Sequence, residues 1–245
     1  MENSTNKKMT GGEAIVKSLI NEGVETIFGL PGIQLDPMFN ALHDSSNEIR
    51  VINARHEQGV AYMAFGYAQS TGKPGVYAVV PGPGILNTTA ALSTAYACNS
   101  RVLAITGQIP SSYIGRELGM LHEIPNQLSV LEGLTKFAKR INYPSDAPAI
   151  VSEAFKNMRS GRPRPTAIEM PMDIMQHKSE VTLRKFTDGY SPPAADPDLI
   201  KEAALILGAA KNPVIFVGTG AYEAGKEVTI LAEMLQAPVI SYQNG

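Results

Sequence analysis

Between Val24 and Met170 the chain alternates short apolar, β-type runs with segments of helical spacing, and Gly- and Pro-rich connections join them. That alternation leaves few folds open. Strands separated by helices form a mainly parallel sheet, and its two apolar faces require helices on both sides. Thr10-Gly11-Gly12-Glu13 reads as a capping box, Ile15, Val16, Leu19 and Ile20 supply a helical face, and Gly23 ends the helix. Leu35, Met38, Phe39 and Leu42 mark a second helix at i, i+3, i+4 and i+7. Strands are expected at Val24 to Phe28, Arg50 to Asn53, Val76 to Val80, Val102 to Thr106, Phe137 to Ile141 and Thr166 to Met170. Helices are expected near 57–70, 85–98 and 146–159. The expected fold is a doubly wound, mainly parallel six-stranded α/β sheet with helices on both faces.

The apolar periodicity stops after Asp173, and 176–195 carries charges and Ser191-Pro192-Pro193, so a linker is placed there. The first domain is accordingly 8–175. From Asp196, an N-cap before Pro197, a second α/β unit begins over 196–245, with a strand near Pro213 to Val217, a helix near Glu223 to Leu235 and a strand near Pro238 to Ser241. One β-α-β unit covers its sheet poorly, so this second domain is read as truncated.

Charge narrows the function classes. Twenty-one basic against 23 acidic side chains give a net charge of −2, with no electrostatic footprint for nucleic acid or an anionic membrane. No apolar stretch has the length of a membrane span, and Met1 to Thr10 lacks a signal-peptide apolar region, so a cytoplasmic protein with small-molecule partners is expected. Cys98 is the single cysteine and is assigned no role. Gly220 to Glu227 meets the phosphate-loop spacing until Glu227 replaces the required Ser or Thr, and His56-Glu57 lacks the second histidine of a zinc site. No metal ligands are therefore assigned.

Four segments carry the chemistry. Arg55-His56-Glu57-Gln58-Gly59 follows a strand directly and opens a helix of small residues; Gly29-Leu30-Pro31-Gly32 and Pro81-Gly82-Pro83-Gly84 each stand where a strand should end and a helix begin; Gln108 lies just past another strand. Sheets of this kind present ligands at that edge. Taken alone, Glu57 reads equally as an acid at a helix N-terminus, the two loops as ordinary turns and Gln108 as an amide satisfying its own loop.

Together these segments resemble the pyrimidine-binding half of the acetolactate synthase-like, thiamine diphosphate-dependent enzymes, over nearly the whole chain. The resemblance implies that Glu57 is the carboxylic acid that activates the cofactor through its pyrimidine ring nitrogen. It also implies cofactor contacts from Pro31, Gly32, Pro83, Gly84, Asn87 and Gln108, and a 2-oxo acid substrate that is decarboxylated or joined to a second molecule. Magnesium would enter through a further domain carrying Gly-Asp-Gly…Asn, a motif not found in this chain, and the active site would lie between subunits of a homo-oligomer. The 245-residue chain alone should hold half a site and be inactive. Arg162 matches an arginine that contacts FAD in flavin-containing members, or is an exposed turn residue. Two departures stand out: Leu121-His122-Glu123 replaces the Phe-Gln-Glu of the synthases, and Met172 replaces a lysine. Histidine can deliver a proton near neutral pH where glutamine only hydrogen-bonds, so His122 is the second catalytic candidate, against an idle loop histidine. A reading of another class is a non-catalytic module derived from this fold, binding a partner through an exposed cleft.

Overall fold

The computed structural model describes residues 5–183 and 193–241. The chain divides into two units, Met1–Tyr190 and Ser191–Gly245.

In chain order the first unit contains β1 (Thr5–Thr10), α1 (Gly11–Asn21), β2 (Thr26–Gly29), α2 (Asp36–Asp44), β3 (Arg50–Asn53), α3 (Glu57–Thr71), β4 (Gly75–Val79), α4 (Pro83–Leu86) and α5 (Thr89–Ala97). There follow β5 (Val102–Gln108), α6 (Gln127–Leu134), β6 (Phe137–Arg140), α7 (Ala147–Arg159), β7 (Thr166–Pro171), α8 (Met172–Gln176) and β8 (Lys178–Leu183). Six strands form one sheet in the order β3-β2-β4-β5-β7-β6, every neighbouring pair parallel. The expected doubly wound α/β fold is thus observed.

Strand alternation divides the core in two. Ile27, Val76, Ala78, Leu103, Ile105, Ile168 and Met170 join α1, α2 and α7 in one buried cluster. Phe28, Tyr77, Val79, Val102, Ala104 and Ala167 join α3, α5 and α6 in the other, because successive side chains of a strand point to opposite faces. The capping box at the head of α1 is present, with the Thr10 N–H donating to Glu13 Oε2 at 2.6 Å and the Glu13 N–H to Thr10 Oγ1 at 3.1 Å. Helix α3 buries Val60, Ala61, Ala64 and Ala68, a face of small residues that lets it lie close to the sheet. A Cβ on Gly75 of β4 would fall 2.0 Å from the Ala64 carbonyl oxygen.

Chain order across the sheet creates a switch point. From β2 the chain moves outward through α2 to β3, then returns over the opposite face through α3 to β4 on the other side of β2. The connections leaving β2 and β4 therefore diverge to opposite faces, and the crevice between them is where such sheets bind ligands.

Three features depart from expectation. The stretch 176–195 read as linker begins with strand β8, which pairs antiparallel with β1 from Thr5↔Leu183 to Thr10↔Lys178. The apolar residues that anchor the pair, Met9 in β1 and Val181 with half-buried Leu183 in β8, are too few to reveal it by alternation. Helix α6 stands where no helix is expected, and the helix expected over 85–98 is two, broken at Asn87-Thr88.

The second unit contains α9 (Pro197–Ala209), β9 (Ile215–Val217), α10 (Gly225–Leu235) and β10 (Val239–Ser241), with β9 and β10 parallel. Asp196 caps α9 by accepting from the Asp198 N–H at 2.9 Å. Phe216 is 68 % exposed and Met234 76 %, as expected of a β-α-β unit with one layer.

Candidate functional site

Glu57 is the first residue of α3, directly beyond the C-terminal end of β3. His56 caps the helix, its Nδ1 accepting from the Gln58 N–H at 3.2 Å. Asn87 Nδ2 donates to Glu57 Oε2 at 3.0 Å across 30 residues of sequence, while Oε1 is left open. The pairing depends on the break between α4 and α5. Thr88 Oγ1 donates to the Ile85 carbonyl at 2.7 Å and accepts from the buried Tyr77 hydroxyl at 2.8 Å, which ends α4 and turns Asn87 toward Glu57. Burial pushes the Tyr77 phenol above its ordinary pKa, so it remains a protonated donor.

The two glycine loops meet here. A Cβ on Gly32 would stand 2.5 Å from Val80 Cγ1, and one on Gly84 2.5 Å from Val80 Cγ2 and 3.9 Å from Glu57 Oε1. Val80 thus lies between two glycines in front of the carboxylate, a cradle that side chains at either position would close. Pro31 and Pro83 are exposed on the rims of these loops.

Gly82, at φ +60, has a backbone conformation and a space that only glycine tolerates: a Cβ would meet the His122 carbonyl oxygen at 2.4 Å. His122 is therefore packed on the Pro81-Gly82 turn, itself at φ +69, with Nδ1 buried and unpartnered. The Gly82 N–H donates to Gln127 Oε1 at 2.8 Å, and Gln127 Nε2 donates to the Gly107 carbonyl at 3.0 Å and Glu169 Oε2 at 2.7 Å. Glu169, fully buried, is paired with Arg140 Nε at 2.5 Å. A buried carboxylate so compensated holds the glycine loop rigidly against the ends of β5 and β7. Gln108 belongs to this network: its Oε1 accepts from the Ile109 N–H at 2.8 Å and its Nε2 donates to Glu169 Oε2 at 3.5 Å. Both ends of its amide are engaged within this network.

The sheet edge thus brings together Glu57, Asn87, Gly32, Gly84 and His122, while Arg162 lies elsewhere. It is exposed in the loop before β7, at the N-terminal edge of the sheet, where its carbonyl accepts from Lys136 Nζ at 3.1 Å. Met172 starts the short helix α8. Sequence reasoning missed Tyr77 and Glu169, buried polar residues inside apolar strands, where a polar residue at a core position is the signal that would have found them; Thr88 and Gln127, in polar stretches, carry no such signal. Among the described residues no group of three or more His, Cys, Asp or Glu side chains could hold a metal ion.

Residues 9–130 match the family described as thiamine pyrophosphate enzyme, N-terminal TPP binding domain. The chain belongs to that family. It is 35 % identical over 239 residues to a probable 2-ketoarginine decarboxylase, AruI, of Pseudomonas aeruginosa, covering 96 % of this chain and 42 % of that protein. Identity is also 35 % over 236 residues to the large subunit of acetolactate synthase isozyme 1 of Escherichia coli, covering 96 % of this chain and 41 % of that one. With a probable acetolactate synthase large subunit of Methanocaldococcus jannaschii it is 36 % over 241 residues, 94 % of this chain and 40 % of the relative. The chain therefore spans about two fifths of the length of these curated relatives. The thiamine pyrophosphate-binding domain includes the whole Glu57, Asn87 and Gly84 constellation.

Proposed function

We propose that this chain supplies the pyrimidine-binding half of the active site of a thiamine diphosphate-dependent enzyme that decarboxylates or carboligates 2-oxo acids. The observation that carries the reading is the Glu57 carboxylate, oriented by Asn87 and fronted by the Gly32-Val80-Gly84 cradle at the switch point of the sheet. When bound, thiamine diphosphate supplies the nucleophilic carbon and the electron sink of the reaction. Glu57 would hold the pyrimidine ring nitrogen and exchange a proton there through its open Oε1. Asn87 fixes the rotamer in which that oxygen is presented, and the cradle admits a flat ring close to the backbone. His122, clamped on Gly82, is the proton donor to the substrate carbon.

The same reading includes a homo-oligomer in which another subunit completes the site, with magnesium held by a diphosphate-binding domain. Exposed apolar side chains around the crevice support a covering surface: Ile33 is 62 % exposed, Leu86 40 % and Leu121 73 %. FAD at Arg162 would be structural or regulatory, since that residue stands at the opposite sheet edge from Glu57. Relatives named as a 2-ketoarginine decarboxylase and as acetolactate synthases support both decarboxylation and carboligation as reaction types. Carbon dioxide release from a panel of 2-oxo acids, measured on the full-length protein with and without thiamine diphosphate, tests the function. Cofactor-dependent release is expected, and its absence across the panel would overturn the reading.

A further inference from the structure

Three buried glutamines stand at the C-terminal edge of the sheet: Gln34 at 3 % exposure, Gln108 at 3 % and Gln127 at 1 %. Two of them are fully engaged in the Glu169 network. Gln34 differs, because its Oε1 is buried and accepts no hydrogen bond. It lies in the tight turn Ile33–Leu35 that follows Gly32, closed by the Leu35 N–H donating to the Gly32 carbonyl at 2.7 Å. A Cβ on Gly107 would stand 3.3 Å from Gln34 Cβ and 3.1 Å from Pro81 Cδ, so Gln34 and Pro81 both pack on the end of β5 at Gly107. The His122 backbone packs on the Pro81-Gly82 turn at Gly82 and its Nδ1 is likewise buried without a partner, as is Thr106 Oγ1 next to Gly107. Buried polar atoms are nearly always paired, and leaving one unpaired costs as much as a lost hydrogen bond. An apolar side chain of the same size would fill this position with no such cost. The unpaired Gln34 Oε1, two residues beyond Gly32 of the cradle, marks a subsite for a ligand that brings its own donor.

We propose that Gln34 is a specificity-determining residue whose Oε1 accepts a hydrogen bond from a donor group, a hydroxyl, ammonium or guanidinium, on the side chain of the 2-oxo acid. The assignment rests on the function proposed above and deepens it by naming the substrate class. Sites built to hydrogen-bond a substrate group reject analogues that lack it, because the buried partner is then left unpaired.

Two series of 2-oxo acids, one ending in a methyl group and one of equal length ending in a hydroxyl, ammonium or guanidinium, test this on the full-length protein with thiamine diphosphate and magnesium. The wild type should favour the donor-bearing series at least tenfold in kcat/KM. Gln34→Leu, and Gln34→Met as a second variant of matched length, should lower that ratio at least tenfold, whereas Gln34→Glu, which keeps an acceptor, should retain it. Calorimetry with the unreactive 2-hydroxy acid counterparts should give the same order of affinities without any turnover. A ratio unchanged in Gln34→Leu and Gln34→Met, or a wild type indifferent to the side chain, would overturn the assignment while leaving the proposed function in place. Failure of every 2-oxo acid to release carbon dioxide would overturn both.

Discussion

At Glu57 the decisive quantity is the exchangeable proton on one carboxyl oxygen. Glu57→Gln keeps an acceptor for the Asn87 amide, 3.0 Å away, so the fold around α3 and α4 should survive. An amide cannot pass a proton to and fro, and the variant should bind cofactor yet slow exchange of its thiazolium C2 proton by orders of magnitude. Proton exchange followed by magnetic resonance measures this directly, and wild-type rates would remove Glu57 from the chemistry. His122 supports a separate prediction. If its imidazole delivers a proton to the substrate carbon, His122→Gln should lower aldehyde release relative to carboligated product and remove a limb near neutral pH from the aldehyde profile. An unchanged product ratio and profile would return it to the status of a loop residue packed on Gly82.

Among the elements, α3 matters most, because it positions Glu57 and its small-residue face leaves no room for error. Gly75→Ala would drive a methyl group to 2.0 Å from the Ala64 carbonyl, a backbone atom that cannot swing aside. Overpacking of this kind should cost about 3 kcal/mol and displace the start of α3. Thermal melting of the variant measures the loss, and the movement of α3 should appear as weakened cofactor binding. Helix α1 offers a milder comparison remote from the site. Thr10→Ala removes one half of the capping box and should cost about 1 kcal/mol, with no effect on ligand binding. A Thr10→Ala variant as stable as the wild type would show that the cap is redundant with the pairing of β1 and β8.

For the whole chain, the prediction concerns what its described residues provide: a pyrimidine site without a cluster of metal ligands. Magnesium binds through carboxylates together with the substrate's phosphates, and an unanchored diphosphate adds little affinity. This 245-residue chain by itself should therefore bind thiamine diphosphate weakly, with no dependence on magnesium and no turnover of any 2-oxo acid. Calorimetry with and without the metal checks this, and tight, magnesium-dependent binding would sink it.

What the sequence by itself determined is local and periodic. Helix and strand spacings, the capping box, the glycine loops and the acid after β3 are written in residues a few positions apart, where propensity and steric demand act directly. They sufficed for the fold class, while Glu57, Gly32, Gly84 and Asn87 became site candidates only through the family resemblance that their motifs carry together. Strand order was not legible, because which parallel strand neighbours which is decided by packing across the whole sheet. That order alone makes the divergence between β2 and β4 a crevice. Gln127 and Glu169, 42 residues apart in sequence, meet only after β5 and β7 have paired. The pairing of β1 with β8 spans almost the entire first unit and has too few apolar residues, Met9, Val181 and Leu183, to show as a pattern. Such contacts depend on partners brought close by folding, and so the rigid support of the glycine loop and the unpaired amide oxygen of Gln34 were decided by the tertiary structure.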